Sequence, residues 1–365
     1  MRKLKRFLLL MCITSCLIGC KQDISATNNN VISDADVKIE LIKITDSIVQ
    51  DTSNELLELR KKMYAQYKKS KEELLPIYVS YSYQNTKNKL IHLVPLTDSY
   101  PWSNHADSLV VAPHYLKTNA IVNDNYHELG PAYRKRFLER MNISGKHKIF
   151  AYHVSSDEVF TYNVNDQPVV AILSPYETQG PFRQEDYIIG FNLESAIQSN
   201  NIGNESVFVY IGEENPFQNG HLQPIIWNKT EYSFFNSYLN NKNVANINKN
   251  LIRQIYNFSK DSLDYFMLDI GTKEKNSLRQ LVVFDKSSKV HIIDMYFNEG
   301  EGRSYTPMAI HGDNERLETE QMTGKLFKDR PSVFFGFLYH SFGCSKINFI
   351  DKDKNFVRLR CDNRH

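Results

Sequence analysis

The sequence predicts an α+β protein in which an N-terminal amphipathic helix, or a pair of helices, precedes a largely antiparallel β-sheet body with inserted helices. Residues 37–75 contain no Gly or Pro and carry apolar side chains at helical spacing. Later apolar runs are short, and tight polar turns join several of them, which is typical of antiparallel pairing. Helical segments occur in blocks and do not alternate with strands, which argues against a doubly wound α/β sheet.

The N-terminal helical segment has a clear apolar stripe. Its members recur every three or four residues and are Leu56, Leu57, Leu59, Met63, Tyr64 and Tyr67. Lys and Glu side chains occupy the opposite side, as on a solvated helix face. Cap-forming residues at 51–55 leave either two helices or one interrupted helix possible, and Pro76 ends the segment.

The middle of the chain predicts strands interrupted by two helical regions. The predicted strands cover 77–83, 90–96, 109–112, 149–153, 159–162, 169–173, 187–191 and 207–211. A polar turn at 155–158 predicts a hairpin between the fourth and fifth of these strands. The helical regions are 131–141 and 232–258, the latter broken around 240–241. The turn-rich composition near 200–230 allows a domain boundary there, and a single large domain over 37–365 is the alternative.

The last third of the chain predicts the most regular β structure. Segments 265–270, 281–284 and 290–297 form a predicted meander with a polar turn at 285–289. A short helix is predicted over 317–327, and 333–339 fits either a strand or a buried helix. Segments 346–350 and 356–360 are expected to pair across the polar turn between them.

The first nineteen residues have the organisation of an export signal. Arg2, Lys3, Lys5 and Arg6 precede an almost wholly apolar run at 7–18. That run is shorter than the roughly 20 apolar residues that a transmembrane helix needs. A basic segment followed by a short apolar core is the pattern of a signal peptide, predicted here over residues 1–19.

The end of this segment carries a lipid-attachment motif. Leu17-Ile18-Gly19-Cys20 resembles the lipobox of bacterial lipoproteins. The resemblance implies cleavage before Cys20 and attachment of fatty acyl chains such as palmitate, which would anchor the protein durably. Aspartate does not follow Cys20, which favours the outer membrane, and Lys21 with Asp23 resembles in part the surface-export signal of Bacteroidetes lipoproteins. The leaflet stays open, and residues 20–36 are predicted to form a disordered tether.

The charge of the mature chain gives no reason to expect a polyanionic partner. Residues 1–19 hold four of the 44 Lys and Arg and none of the 42 Asp and Glu, so the mature chain has a net charge of −2. Nucleic acid is therefore not an expected partner. The ligand classes that remain are a glycan, a peptide or a protein, and the sequence does not indicate the oligomeric state.

Cys344 and Cys361 are the two cysteines besides Cys20 in the predicted mature chain, and they flank the predicted terminal hairpin. In an oxidising envelope the leading expectation is a disulfide between them. One alternative is a tetrahedral zinc site with His340 and His365. The other is Cys344 as a nucleophile with His340 as its base.

Catalytic motifs are absent from the sequence. It contains no G-x-x-x-x-G-K-[ST], G-x-G-x-x-G, H-E-x-x-H or G-x-S-x-G pattern, and no cofactor or metal is predicted. We therefore expect a non-enzymatic binding or interaction lipoprotein. The alternative is a hydrolase of envelope polymer, polysaccharide or peptide, with its acids in the 299–315 loop. The residues of that loop able to do acid–base work are Glu299, Glu301, His311, Asp313 and Glu315.

Overall fold

The computed structural model describes residues 75–84, 90–101, 109–116, 126–177, 180–193, 207–239, 252–271, 276–312 and 321–362. All of them belong to the compact unit Leu74–His365. The predicted signal peptide, Cys20, the tether at 20–36 and the helical stripe at 56–67 lie outside the described residues.

The described residues form twenty strands and three helices, together with short 3-10 turns. The strands of the first sheet are β1 (Tyr78–Gln84), β2 (Leu90–Pro95), β3 (Tyr126–Glu128), β4 (Lys148–His153), β5 (Glu158–Asn163), β6 (Val169–Leu173), β7 (Tyr187–Asn192) and β8 (Val207–Gly212). They follow the order β3-β6-β7-β2-β1-β8-β4-β5. β1 changes partner along its length, because 78–80 pair with β8 and 81–84 pair with β2.

The remaining strands form two five-stranded sheets and a ribbon. They are β9 (Leu222–Pro224), β10 (Asn228–Thr230), β11 (Ile252–Lys260), β12 (Leu263–Gly271), β13 (Asn276–Asp285), β14 (His291–Phe297), β15 (Arg303–Tyr305), β16 (Met322–Gly324), β17 (Val333–Phe335), β18 (Leu338–His340), β19 (Lys346–Phe349) and β20 (Phe356–Arg358). β10 to β14 form a meander in chain order, and a central sheet has the order β20-β19-β17-β16-β9. β15 and β18 form the ribbon. The helices are α1 (Pro113–Leu116), α2 (Pro131–Arg140) and α3 (Tyr232–Leu239).

The sheets confirm the predicted antiparallel body. All sixteen pairings between the described strands are antiparallel. The predicted meander is present as β12 to β14, the predicted hairpin as β4 and β5, and the predicted terminal pairing as β19 and β20. These segments follow the sequence because local turns determine their register.

The sheets stack in layers, and alternate residues of one strand enter different cores. On β4, Ile149 and Ala151 pack with α2, whereas Phe150 and Tyr152 face the central sheet. On β17, Val333 enters the core shared with the first sheet, and Phe334 enters the core shared with the meander. A strand that is buried on both faces has a continuous run of apolar residues in its sequence. This explains why apolar and polar residues do not alternate in several of these segments.

The meander is also covered on both faces. Tyr265 and Met267 of β12 face the central sheet, whereas Phe266 and Leu268 pack against α3. The resulting order of layers is α2, the first sheet, the central sheet, the meander and α3. Each interior layer depends on its neighbours for burial of about 1.5–3 kcal/mol per large apolar side chain.

The predicted helical region at 232–258 is correct only in part. Tyr232–Leu239 is α3, but 252–260 forms β11, which pairs with β12 along its length. Ile255 and Tyr256 point to opposite sides of the meander, and both are buried. Because both faces are covered, apolar residues occur at consecutive positions and imitate a helical pattern.

Two further predicted elements are wrong. The helix predicted over 317–327 contains β16 in its described part, and Gly324 has a φ of +140°, which no α-helix accommodates. A Cβ at Gly324 would lie 2.0 Å from the carbonyl oxygen of His221, so the close approach to β9 requires glycine. The strand predicted at 109–112 is irregular, because the Val110 N–H donates to the side chain of Gln184 and not to a neighbouring strand.

Candidate functional site

A groove with a volume of about 1080 Å³ runs along one side of α2. One wall is the helix itself, and the other is the irregular segment between β5 and β6. The lining residues on and after the helix are Pro131, Arg134, Lys135, Leu138, Glu139, Asn142, Ile143, Ser144 and Gly145. Residues 128–130 and 165–168 complete it. A concavity of this size fits a ligand of a few residues or sugar units.

The ends of α2 are defined by local sequence. Gly130 is the extended N-cap residue and Pro131 occupies the first turn, where its missing N–H costs nothing. At the other end Asn142 adopts a φ of 53°, a left-handed conformation that Asn tolerates. The Ile143 N–H then donates to the Leu138 carbonyl at 2.8 Å and closes the helix. With both ends of α2 defined in this way, Leu138 lies in the groove and its side chain is largely buried.

Arg134 joins the two walls of the groove. Its guanidinium Nη2 donates to the Val164 carbonyl at 2.6 Å and to the Gln167 carbonyl at 3.3 Å. The Asn163 side chain donates to the Asp166 carboxylate at 2.8 Å within the same turn. The wall opposite the helix is therefore fixed by hydrogen bonds, and the groove is formed before any ligand arrives.

Gln167 is the unusual residue of this groove. Its side chain is only 7% exposed, and its Oε1 is buried without a hydrogen-bond partner. A buried acceptor without a donor costs about 1–3 kcal/mol. Gln184 has the same exposure, but its Oε1 accepts the Val110 N–H. Gln167 Oε1 is closed to solvent, so a ligand donor would reach it only if the Gln167 side chain turned toward the groove.

The charges around the groove are mixed. Glu128, Glu139 and Asp166 supply carboxylates, and Arg134 and Lys135 supply cations. Lys135 and Glu139 pair at 3.8 Å on the exposed side of the helix, an interaction of little energetic weight. Among the residues that the structure describes, no aromatic side chain lines the groove. The lining suits a polar ligand that carries N–H or O–H donors and both signs of charge.

The acids predicted for a hydrolase are not assembled in the described part of the 299–315 loop. The Glu299 carboxylate accepts the Tyr305 N–H at 3.2 Å, which stabilises the turn at 300–303. No hydrogen bond or ion pair joins Glu299, Glu301 and His311. Asp313 and Glu315 lie outside the described residues. Within the described ranges, no three His, Cys, Asp or Glu side chains converge to hold a metal ion.

The predicted disulfide is confirmed. Cys344 and Cys361 are bonded, with their Cα atoms 5.6 Å apart. Because each sulfur is bonded to the other, neither is a thiolate ligand for zinc or a nucleophile in this structure. His340 instead lies opposite Arg303 in the β15–β18 ribbon, and His365 lies outside the described residues.

Sequence reasoning missed the groove and its residues. Arg134 and Gln167 belong to no sequence motif. Arg134 matters because it donates to the carbonyl of Val164, 30 residues away, and Gln167 because its Oε1 has no hydrogen-bond partner. The helix over 131–141 was predictable, whereas the segment that faces it was not. Only the packing of the turn at 164–168 against α2 creates the site.

Comparison with known proteins finds no matching family, no matching curated protein and no matching solved structure. Among the described residues, no helix has both the length and the apolar character that a membrane span requires. Functional conclusions for this chain therefore depend on the groove and on the sequence motifs.

Proposed function

We propose that the protein is a non-enzymatic binding lipoprotein of the bacterial outer membrane, anchored through acyl chains on Cys20, and that the groove along α2 holds its ligand. The observation that carries the binding part is the groove itself, which has Gln167, a residue with a buried and unsatisfied Oε1, among its lining residues. The observation that supports the anchor is Leu17-Ile18-Gly19-Cys20 behind a short apolar segment.

A peptide is the ligand class that fits the groove best. Peptide N–H groups would supply the donor that Gln167 Oε1 lacks once its side chain turns toward the groove, and the charged rim complements side chains or termini of both signs. Glycan sites more often present aromatic rings for stacking on sugars, and the described lining of this groove includes none.

The anchor is tested by replacing Cys20 with Ala. We expect the variant to lose its acyl chains and to move from the detergent-extractable membrane fraction to the soluble envelope fraction, because each buried CH₂ contributes about 0.8 kcal/mol. Metabolic labelling with a fatty acid analogue measures acylation directly. A variant that remains labelled and membrane-bound would overturn the lipoprotein assignment.

The groove is tested by Gln167→Leu, which keeps the side chain's approximate size and removes its polar atoms. We expect the variant to bind a tetra-alanine peptide at least tenfold more weakly, measured by calorimetry on the detergent-solubilised protein. We also expect its free energy of unfolding to rise by about 1 kcal/mol, because the unsatisfied buried acceptor is removed. Opposite effects on binding and stability are the signature of a residue kept for function.

Gln184→Leu is the matched control. It removes an equally buried amide, but one that accepts the Val110 N–H. We expect it to lower the free energy of unfolding by about 1–3 kcal/mol and to leave peptide binding unchanged. If wild-type protein binds cellotetraose and not the peptide, the proposed ligand class is wrong, but the groove remains the proposed binding site. If it binds neither probe, or if Gln167→Leu binds like wild type, the groove is not the site.

A further inference from the structure

A small side pocket adjoins the groove at the N-terminal end of α2. Its volume is about 20 Å³, which is room for one group the size of a water molecule or a methyl. Residues 128–130 line both the groove and the side pocket. The two spaces therefore share a wall, and a ligand that fills this end of the groove lies beside the side pocket.

The shared wall is open at Gly130. A Cβ atom added to Gly130 would have no atom of the described residues within 4 Å. The backbone there has a φ of −60° and a ψ of 161°, a conformation that any residue adopts, so the turn itself does not require glycine. What the missing side chain provides at this position is free space between the groove and the side pocket.

The described lining of the side pocket is mainly aliphatic. Its aliphatic members are Val110, Val111, Ala112, Leu129 and Ala171, and all of these except Ala112 are buried. A bound water molecule needs two to four polar partners, and these side chains offer none. The lining therefore favours a methyl group over a water molecule.

Hydrogen bonds and ring stacking hold the walls of the side pocket in place. The Val110 N–H donates to the Gln184 side chain, and the Tyr187 hydroxyl donates to the Tyr115 carbonyl at 3.4 Å. The rings of Tyr115 and His127, which both line the side pocket, stack with their centres 3.7 Å apart. A larger occupant would have to displace these contacts, so the side pocket selects its occupant by size.

We propose that the side pocket receives one methyl-sized side chain of the peptide that lies in the groove, so that the site selects Ala and excludes larger residues at that position. This inference rests on the peptide ligand proposed above and adds the type of residue that the site recognises. A methyl group buried there should raise the affinity about fourfold over hydrogen at the same position.

A scan of tetra-alanine with valine tests the size limit. Each Ala is replaced in turn by Val, and binding of the four peptides to the detergent-solubilised protein is measured by calorimetry. We expect Val at one position to weaken binding at least tenfold, because two additional methyl carbons overfill the side pocket. Val at the other three positions should change the affinity by less than threefold.

Val111→Ala should restore binding of the rejected peptide. Val111 lines the side pocket and is 1% exposed, and its replacement removes the two carbons that the peptide valine adds. We expect the variant to bind that peptide within threefold of its affinity for tetra-alanine. Restored binding is a readout that a purely structural role of Val111 would not produce.

Val207→Ala is the matched control. Val207 is a buried valine of the same apolar core and lines neither the groove nor the side pocket. This variant should reject the valine peptide as wild type does, although it also loses two buried carbons. The comparison separates an enlarged side pocket from a general loosening of the core.

The outcomes distinguish this inference from the proposed function. If wild-type protein binds tetra-alanine and also accepts Val at all four positions, the side pocket is not used, whereas the groove remains the binding site. The inference is equally overturned if Val111→Ala still rejects the valine peptide, or if Val207→Ala accepts it as well. If wild-type protein does not bind tetra-alanine at all, the proposed peptide ligand is wrong and the inference fails with it.

Discussion

Replacing Asp269 with Ala should lower the free energy of unfolding by about 3–5 kcal/mol, the cost of leaving a buried charge without its partner. The Asp269 carboxylate accepts a hydrogen bond from Arg279 Nε at 3.0 Å, and the two side chains are only 6% and 15% exposed. Arg279 also donates to the Thr306 carbonyl at 3.2 Å and lies 4.5 Å from the centre of the Tyr305 ring. The pair thus connects the meander to the β15–β18 ribbon.

Chemical denaturation measures this effect, and two variants make the result specific. Glu139→Ala breaks the Lys135–Glu139 pair, which is exposed, and should change stability by no more than about 0.5 kcal/mol. Asp269→Ala/Arg279→Met removes both charges and should recover much of the lost stability, because the uncompensated guanidinium is gone. A loss below about 1 kcal/mol for Asp269→Ala would show that solvent already screens the pair.

Replacing Cys344 and Cys361 together with Ser should lower the free energy of unfolding by about 3 kcal/mol. On the chain-entropy estimate, this is the stabilisation from closing a loop of this length in the unfolded chain. The effect is expected in non-reducing buffer and should disappear when wild type and variant are compared in the presence of reductant. A variant as stable as the oxidised wild type would mean that the terminal hairpin is held by packing alone.

Much of the fold could be predicted where local sequence determines register. β4 with β5, β12 to β14, and β19 with β20 are joined by short polar turns, so alternation and turn residues locate them. β11 and β16 could not be recognised, since the first is covered on both faces and the second is three residues long and pairs with β9, about 100 residues earlier. Their identity depends on contacts made after other parts of the chain have folded.

The candidate sites were less predictable than the fold. The Cys344–Cys361 disulfide could be predicted from the residue type together with the oxidising compartment that the sequence predicts. Asp269 and Arg279 could have been paired by counting back from the β12–β13 turn, with the register known. Gln167 gives no signal in the sequence, because what distinguishes it is the missing hydrogen-bond partner of its Oε1, and only the structure shows that.

The layered arrangement has a consequence for the order in which the protein folds during synthesis. The first sheet is complete once residue 212 has been made, but Phe150, Tyr152 and Phe208 on its second face are covered by residues 217–359. The Arg360 N–H even donates to the Ile77 carbonyl beside β1, at 2.7 Å. An N-terminal fragment would therefore carry a large exposed apolar face and would be prone to aggregate. Stable folding has to wait until the C-terminal end of the chain has emerged.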